Sequence, residues 1–122
     1  MLENCKYFNF FILYLYMNKL YKYNATVVKV YDGDTITCDI DVGFGIVLRK
    51  QKIRLFGLNT PEVRGEEKEL GIISRDKLRE KILNKSIILE TIKDKKGKYG
   101  RWLGIIHLNE ENINEWLIQN NL

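Results

Sequence analysis

Residues 25–42, ATVVKVYDGDTITCDIDV, contain two strand-like runs separated by a tight-turn signal. The first run, residues 25–31, is rich in β-branched side chains, and the second, residues 34–42, alternates strictly between apolar and polar residues. Asp32-Gly33 between the runs is a strong hairpin signal. The stretch therefore predicts a β-hairpin whose second strand turns one face toward a core, and that face consists of Ile36, Cys38, Ile40 and Val42.

The remainder of the chain continues this pattern with further strands and two helices. A Gly-Phe-Gly turn at residues 43–45 precedes a third strand over residues 46–58, and Pro61 ends the sheet run. A helix fits residues 66–84, with a rough apolar stripe of Leu70, Ile73, Leu78 and Ile82. Two strands, residues 86–92 and 101–108, and a short helix, residues 113–120, complete the order β-β-β-α-β-β-α. This order predicts an α+β fold that is mainly β: a five-stranded Greek-key barrel of the OB type with one long helix and a short C-terminal helix.

Length and composition are those of one globular domain. The 122 residues are 45% hydrophobic and 30% charged, which excludes wholesale disorder, and one domain-sized core fits this length. The net charge of +4 hints at an anionic partner, although residues 23–122 carry only +2 of it, so any nucleic-acid affinity depends on where the charges lie. The single histidine argues against a zinc site.

Residues 1–22 are interpreted as an apolar, aromatic N-terminal extension preceding the domain of residues 23–122. The run YFNFFILYLYM, residues 7–17, is too short to span a membrane, so no stable membrane insertion is expected. It has no small-residue cleavage site, which disfavours a signal peptide relative to an extension or a true start at Met17. Cys5 and Cys38 are expected to be free thiols, so the cysteine count does not argue for an oxidising compartment. The location is not determined, and the poor signal peptide slightly favours the cytoplasm.

Three charged motifs follow one another after residue 30, and each allows two interpretations on its own. Asp34 follows the hairpin turn as part of DGDT, which is typical of a plain hairpin but also allows a metal ligand. Arg54 has apolar neighbours on its own strand face and therefore needs an anion nearby, either an internal carboxylate such as Asp34 or Glu62, or a ligand. Glu62, after Pro61, would alone be interpreted as a surface carboxylate.

The third motif ends a basic run, residues 93–101, in which five of nine side chains are basic. Such a run is either a solvated hairpin tip or a loop that contacts phosphates with Lys98 and offers Tyr99 as a stacking surface for bases.

Together the motifs VVKVYDGDTITC, IRLFGLNTPE and KYGRWLGIIH resemble the staphylococcal (micrococcal) nuclease-like, or thermonuclease, family from about residue 25 to the end. The resemblance implies an OB-fold barrel and Ca²⁺-dependent hydrolysis of DNA or RNA, single-stranded or locally melted, to 3′-phosphate ends. By that resemblance Asp34, Asn59 and the backbone carbonyl of Thr60 would bind calcium. Glu62 would orient or deprotonate the attacking water, and Arg54 and Arg101 would bind the scissile phosphate.

Asn59 departs from the family pattern, which usually has aspartate at this position. An asparagine carbonyl still offers an oxygen to calcium but removes one negative charge, so calcium affinity is expected to fall to roughly 10⁻⁴–10⁻³ M. Family members also commonly continue beyond the position of Leu122, so a partner would be needed if that segment is required for stability. The leading interpretation is an endonuclease with little sequence preference. The alternatives are a non-catalytic single-stranded nucleic-acid-binding OB domain and an inactive remnant.

Overall fold

The structure, a computed structural model, describes residues 21–58, 60–61, 63–96 and 101–120. Residues 1–20, which include most of the predicted extension and Cys5, lie outside the described residues, as do Asn59, Glu62, Lys98 and Tyr99. The elements in chain order are β1 (Lys22–Asp32), β2 (Thr35–Gly43), β3 (Ile46–Leu55), a 3₁₀ turn (Gly65–Glu67), α1 (Lys68–Ile82), β4 (Ser86–Lys96), β5 (Trp102–Leu108), β6 (Glu111–Asn112) and α2 (Ile113–Gln119).

Five strands close into a barrel, as the sequence predicted. Neighbouring strands pair in the order β3-β2-β1-β4-β5, and β3 also pairs with β5 in parallel, which joins the two ends of the sheet. The other pairs are antiparallel, and the two-residue strand β6 pairs with His107 and Leu108 of β5, beyond the three residues of β5 that pair with β3. The predicted α+β class, with one long and one short helix, is confirmed.

The apolar face predicted for β2 points into the barrel. Ile36 and Cys38 are fully buried, Ile40 is buried and Val42 is half-buried against the same core. Burial raises the pKa of the Cys38 thiol to about 12, and Cys38 is a free cysteine. Strict alternation therefore fixed the orientation of this strand correctly.

Two predicted strand limits were wrong for local reasons. The third strand ends at Leu55 instead of residue 58 because Gly57 has a φ of 82°, which turns the chain out of the sheet. The fourth strand continues to Lys96, four residues into the basic run predicted as a loop, and Lys96 pairs with Trp102.

The apolar stripe predicted on the long helix was also partly wrong. Leu78 and Ile82 are fully buried, but Leu70 and Ile73 are 60% and 51% exposed. The buried positions in the N-terminal half of α1 are Gly71 and Ser74, which are small. Ser74 lies against the β1–β2 turn, because its Cβ is 2.9 Å from the position that a Cβ would take at Gly33.

The second helix is held on the barrel by a buried amide. The side chain of Asn114 accepts from the backbone N–H of Ile106 (3.1 Å) and donates to the carbonyls of Phe56 (2.9 Å) and Gly104 (3.1 Å). It therefore connects α2 to β5 and to the end of β3. None of the described helices is both long and apolar enough to cross a membrane.

Candidate active site

The turn between β1 and β2 places two carboxylates side by side. Asp32 and Asp34 are 8% and 5% exposed, and the backbone N–H of Asp34 donates to Oδ1 of Asp32 at 3.1 Å. Gly33 between them does not have a positive φ. A Cβ added there would lie 2.8 Å from Thr60 Oγ1 and 2.9 Å from Ser74 Cβ. Glycine is thus required for space, because the Thr60 segment and α1 both press against this turn.

Asp34 is the most heavily bonded group of the site. Its Oδ2 atom forms an ion pair with Arg54 and accepts from the backbone N–H of Thr60 at 3.2 Å. Its Oδ1 atom accepts from Thr35 Oγ1 at 3.1 Å. The anion that the sequence required near Arg54 is therefore Asp34, while Glu62, the other candidate, lies outside the described residues.

The two carboxylates have opposite pKa shifts. Burial, and then a hydrogen bond shared with Asp34, raise the pKa of Asp32 to about 6. Burial also disfavours the charge on Asp34, but the hydrogen bond with Asp32 and the Arg54 guanidinium outweigh it and lower the pKa of Asp34. At neutral pH, Asp34 is an anion held among donors, and Asp32 is the carboxyl that accepts a proton first as the pH falls.

Thr35 connects the second arginine to this group. The Thr35 hydroxyl accepts from Arg101 Nη1 at 3.2 Å while donating to Asp34. Arg54 is fixed independently, because its Nη2 donates to the carbonyl of Leu58 at 2.8 Å. Arg54 and Arg101 come from β3 and from the residue before β5, and the parallel pairing of these strands brings them to one end of the barrel.

Of the predicted site residues, the fold therefore brings together Asp34, Arg54, Thr60 and Arg101. Asn59 and Glu62 belong to the same loop as Thr60 but lie outside the described residues, and so do Lys98 and Tyr99. The sequence suggested only the backbone carbonyl of Thr60. In the structure its side-chain Oγ1 is buried and has no hydrogen-bond partner among the described residues.

The donors available at this point suit a hard cation. Among the residues that the structure describes, no group of three or more histidine, cysteine, aspartate and glutamate side chains could hold a metal ion. The β1–β2 turn does offer the carboxylates of Asp32 and Asp34, and the adjacent Thr60 offers a hydroxyl that has no partner within the described residues. These are all oxygen donors, the class that calcium binds, so the chemistry of the described donors fits the ion that the resemblance implies.

An open groove of about 710 Å³ borders the site. Its lining is dominated by cations, with one carboxylate and one aromatic ring; the residues are Lys29, Tyr31, Asp32, Thr35, Thr37, Lys52, Val63, Arg64 and Arg101. Sequence reasoning missed Lys29, Tyr31, Lys52 and Arg64. Lys29 and Tyr31 lie within the first motif but were given no role, and Lys52 and Arg64 lie outside all three motifs. For Lys29 and Lys52, only strand alternation and the register between strands could have predicted that the side chains face the groove.

Comparison with known proteins gives matches to one nuclease family. The family described as "Staphylococcal nuclease homologue" matches residues 52–122, which is more than half of the chain. A thermonuclease of Staphylococcus hyicus is 32% identical over 99 residues, covering 79% of this chain and 55% of the relative. A thermonuclease of Staphylococcus intermedius is 30% identical over the same shares.

An uncharacterized protein, MJ1439, of Methanocaldococcus jannaschii is also similar, with 30% identity over 111 residues, 74% of this chain and 51% of that protein. The chain spans about half the length of these three relatives. The match over residues 52–122, together with the five-stranded barrel, shows that the chain belongs to the staphylococcal nuclease homologue family.

Proposed function

We propose that this protein is a calcium-dependent endonuclease that hydrolyses phosphodiester bonds in DNA or RNA, with little sequence preference, and leaves 3′-phosphate ends. The observation that carries the proposal is the convergence of Arg54 and Arg101 on the hydrogen-bonded pair Asp34–Thr35. Two guanidinium groups beside a buried carboxylate, at the edge of a cationic groove, suit a phosphodiester better than a neutral substrate.

The arginines would act on the charge of the phosphate. In-line attack on a phosphodiester develops negative charge on the equatorial oxygens, and planar guanidinium groups can bind those oxygens in pairs. Arg54 is oriented for this by the Leu58 carbonyl as well as by Asp34, so it keeps one anchor when its contact with Asp34 changes. Arg101 is oriented by the Thr35 hydroxyl.

Asp34, Asn59 and Thr60 would hold the calcium ion, and Glu62 would orient or deprotonate the attacking water. When bound, calcium supplies positive charge against the phosphate oxygens. Asp32 would support Asp34 through their hydrogen bond, and it adds the charge that Asn59 lacks when it is ionised. Because Asn59 is neutral, we expect activity only at calcium concentrations of roughly 10⁻⁴–10⁻³ M or above.

Digestion of single-stranded and plasmid DNA across calcium concentrations, with a chelator control, tests the proposal. Cleavage should appear only at the higher concentrations and should be lost in Arg54→Ala and Glu62→Gln. Arg75→Ala is the matched control, because Arg75 is an arginine on α1 that pairs with Asp76 rather than with the site. Retained DNA binding without cleavage at any calcium concentration would contradict the enzyme and favour the nucleic-acid-binding alternative.

A further inference from the structure

Two rows of side chains cross the outer face of β1, β2 and β3 side by side. In the first row Asp32 pairs with Thr35, and Thr35 pairs with Arg54. In the second row Lys29 pairs with Thr37, and Thr37 with Lys52. Cross-strand partners project to the same face, and residues two apart on β2 share that face. The second row therefore lies next to the site row, about 6.6 Å along β2.

Irregular pairing in β1 produces this alignment. The register between β1 and β2 shifts between Val27 and Lys29 and again between Val30 and Asp32, which leaves Val28 and Tyr31 as the extra residues. The second shift places Asp32 opposite Thr35 and leaves Tyr31 beside the row, with 41% of its surface exposed and its side chain lining the groove.

Lys29 and Lys52 are suited to bind an anion. Both are exposed and line the groove, and within the described part of the chain neither forms an ion pair. They approach Thr37 from opposite sides, because β1 and β3 are its two neighbours in the sheet. A phosphate placed over Thr37 would contact two ammonium groups and a hydroxyl. Its distance from the site row would be comparable to one step of an extended nucleic-acid strand.

We propose that Lys29, Thr37 and Lys52 form a second phosphate subsite, which holds the phosphate adjacent to the scissile one in a single-stranded nucleic acid, with Tyr31 stacking on a base. The proposal deepens the proposed function and rests on it for the identity of the ligand. A single strand is favoured over a duplex because a base can reach the Tyr31 ring only when it is not paired and stacked within a helix.

Binding of labelled octathymidylate in the presence of a chelator, followed by fluorescence anisotropy across salt concentrations, tests the subsite. The double variant Lys29→Gln/Lys52→Gln should lose one phosphate contact. The negative slope of log affinity against log salt should then become shallower by about 0.7. Affinity at about 0.1 M salt should fall about fivefold. Tyr31→Leu should weaken binding about fivefold or more, whereas Tyr31→Phe should not.

The matched control is Lys77→Gln/Lys85→Gln, which removes the same charge from exposed lysines outside the groove. Thr37→Lys adds a cation to the row and should raise affinity and slope, so the test does not depend only on loss of binding. If Lys29→Gln/Lys52→Gln binds with the affinity and slope of the control, the subsite is overturned. An equal loss of affinity for an octamer duplex would overturn the assignment to a single strand.

The same variants separate this inference from the proposed function. Cleavage by the unmodified protein, with no difference between the groove variant and its control, would retain the enzyme and reject the subsite. A shallower salt dependence in Lys29→Gln/Lys52→Gln than in its control, without cleavage at any calcium concentration, would retain the subsite and reject the enzyme. Absence of both octathymidylate binding and cleavage by the unmodified protein, at any calcium concentration, would reject both.

Discussion

Replacement of Gly33 by alanine should destabilise the protein and distort the candidate active site. The added methyl group would lie 2.8 Å from Thr60 Oγ1, 2.9 Å from Thr60 Cβ and 2.9 Å from Ser74 Cβ. Two of these three atoms are Cβ atoms, which are fixed to their backbones and cannot rotate away. The β1–β2 turn, the Thr60 segment or α1 must therefore move apart, and each of them carries or supports site residues.

The expected cost follows from overpacking. Forcing an extra methyl group into a well-packed contact typically costs about 1–3 kcal/mol, and three contacts below 3.0 Å put Gly33→Ala near the upper end of that range. At about 4–8 °C per kcal/mol for a domain of this size, the Tm should fall by about 10–20 °C. Because Thr60 N–H would move relative to Asp34 Oδ2, the proposed nuclease activity should also fall at temperatures where the variant remains folded.

Thermal and urea denaturation of Gly33→Ala measure this cost, with Gly104→Ala as the comparison. A methyl group at Gly104 would meet Leu89 Cδ1 at 2.8 Å and Ile53 Cγ2 at 2.9 Å, both in the buried core, so Gly104→Ala should also lose stability and measures overpacking away from Thr60 and Ser74. Ser74→Gly removes one of the Cβ atoms and should recover part of the stability lost in Gly33→Ala. A Gly33→Ala variant within about 0.5 kcal/mol of the unmodified protein would refute the reasoning.

Three further outcomes are expected. The first concerns Asp32 without calcium, whose pKa is about 6 in the folded protein against an ordinary 3.8. The folded protein therefore binds this proton more tightly than the unfolded chain does. The resulting stability is fully present below about pH 4 and is lost as the pH rises through 6. Urea denaturation from pH 4 to 7 should therefore show a loss of about 1–3 kcal/mol that Asp32→Asn abolishes. Arg54→Lys should lower the cleavage rate constant by about 10²–10³, because the lysine ammonium is not planar and cannot make paired hydrogen bonds to phosphate. An unchanged rate constant in single-turnover assays would exclude phosphate binding by Arg54. Asn59→Asp should lower the calcium concentration for half-maximal cleavage by roughly tenfold, and an unchanged calcium titration would show that residue 59 is not a ligand.

The barrel could be predicted from sequence because its strands obey simple periodicity. β2 alternates without interruption, and its buried side chains are those that the alternation selected. β1 alternates only in part because of its two register shifts, which leave the apolar Val28 37% exposed. A register shift depends on the partner strand, so local sequence did not reveal it.

The long helix shows a second limit of periodicity. The apolar stripe selected Leu70 and Ile73, whereas the fold buries Gly71 and Ser74. At Ser74 the reason is the close approach of α1 to the turn at Gly33, a tertiary contact that favours a small residue over a large apolar one. Hydrophobic patterning has no means of detecting such a contact.

The candidate site was predictable only where a motif carried it. Asp34, Arg54, Thr60 and Arg101 were found through their motifs, and the structure brings them together. Lys29 and Lys52, 23 positions apart in the sequence, became neighbours of Thr37 only when the strand registers were known.

The end chemistry of the products tests the central claim most directly. Octathymidylate is incubated with the protein at saturating calcium, and the products are identified by mass spectrometry. We predict shorter oligonucleotides with 3′-phosphate ends, absent with chelator and in Glu62→Gln, and present with the Arg75→Ala control. Intact octathymidylate, or products with 3′-hydroxyl ends, would contradict the proposed mechanism.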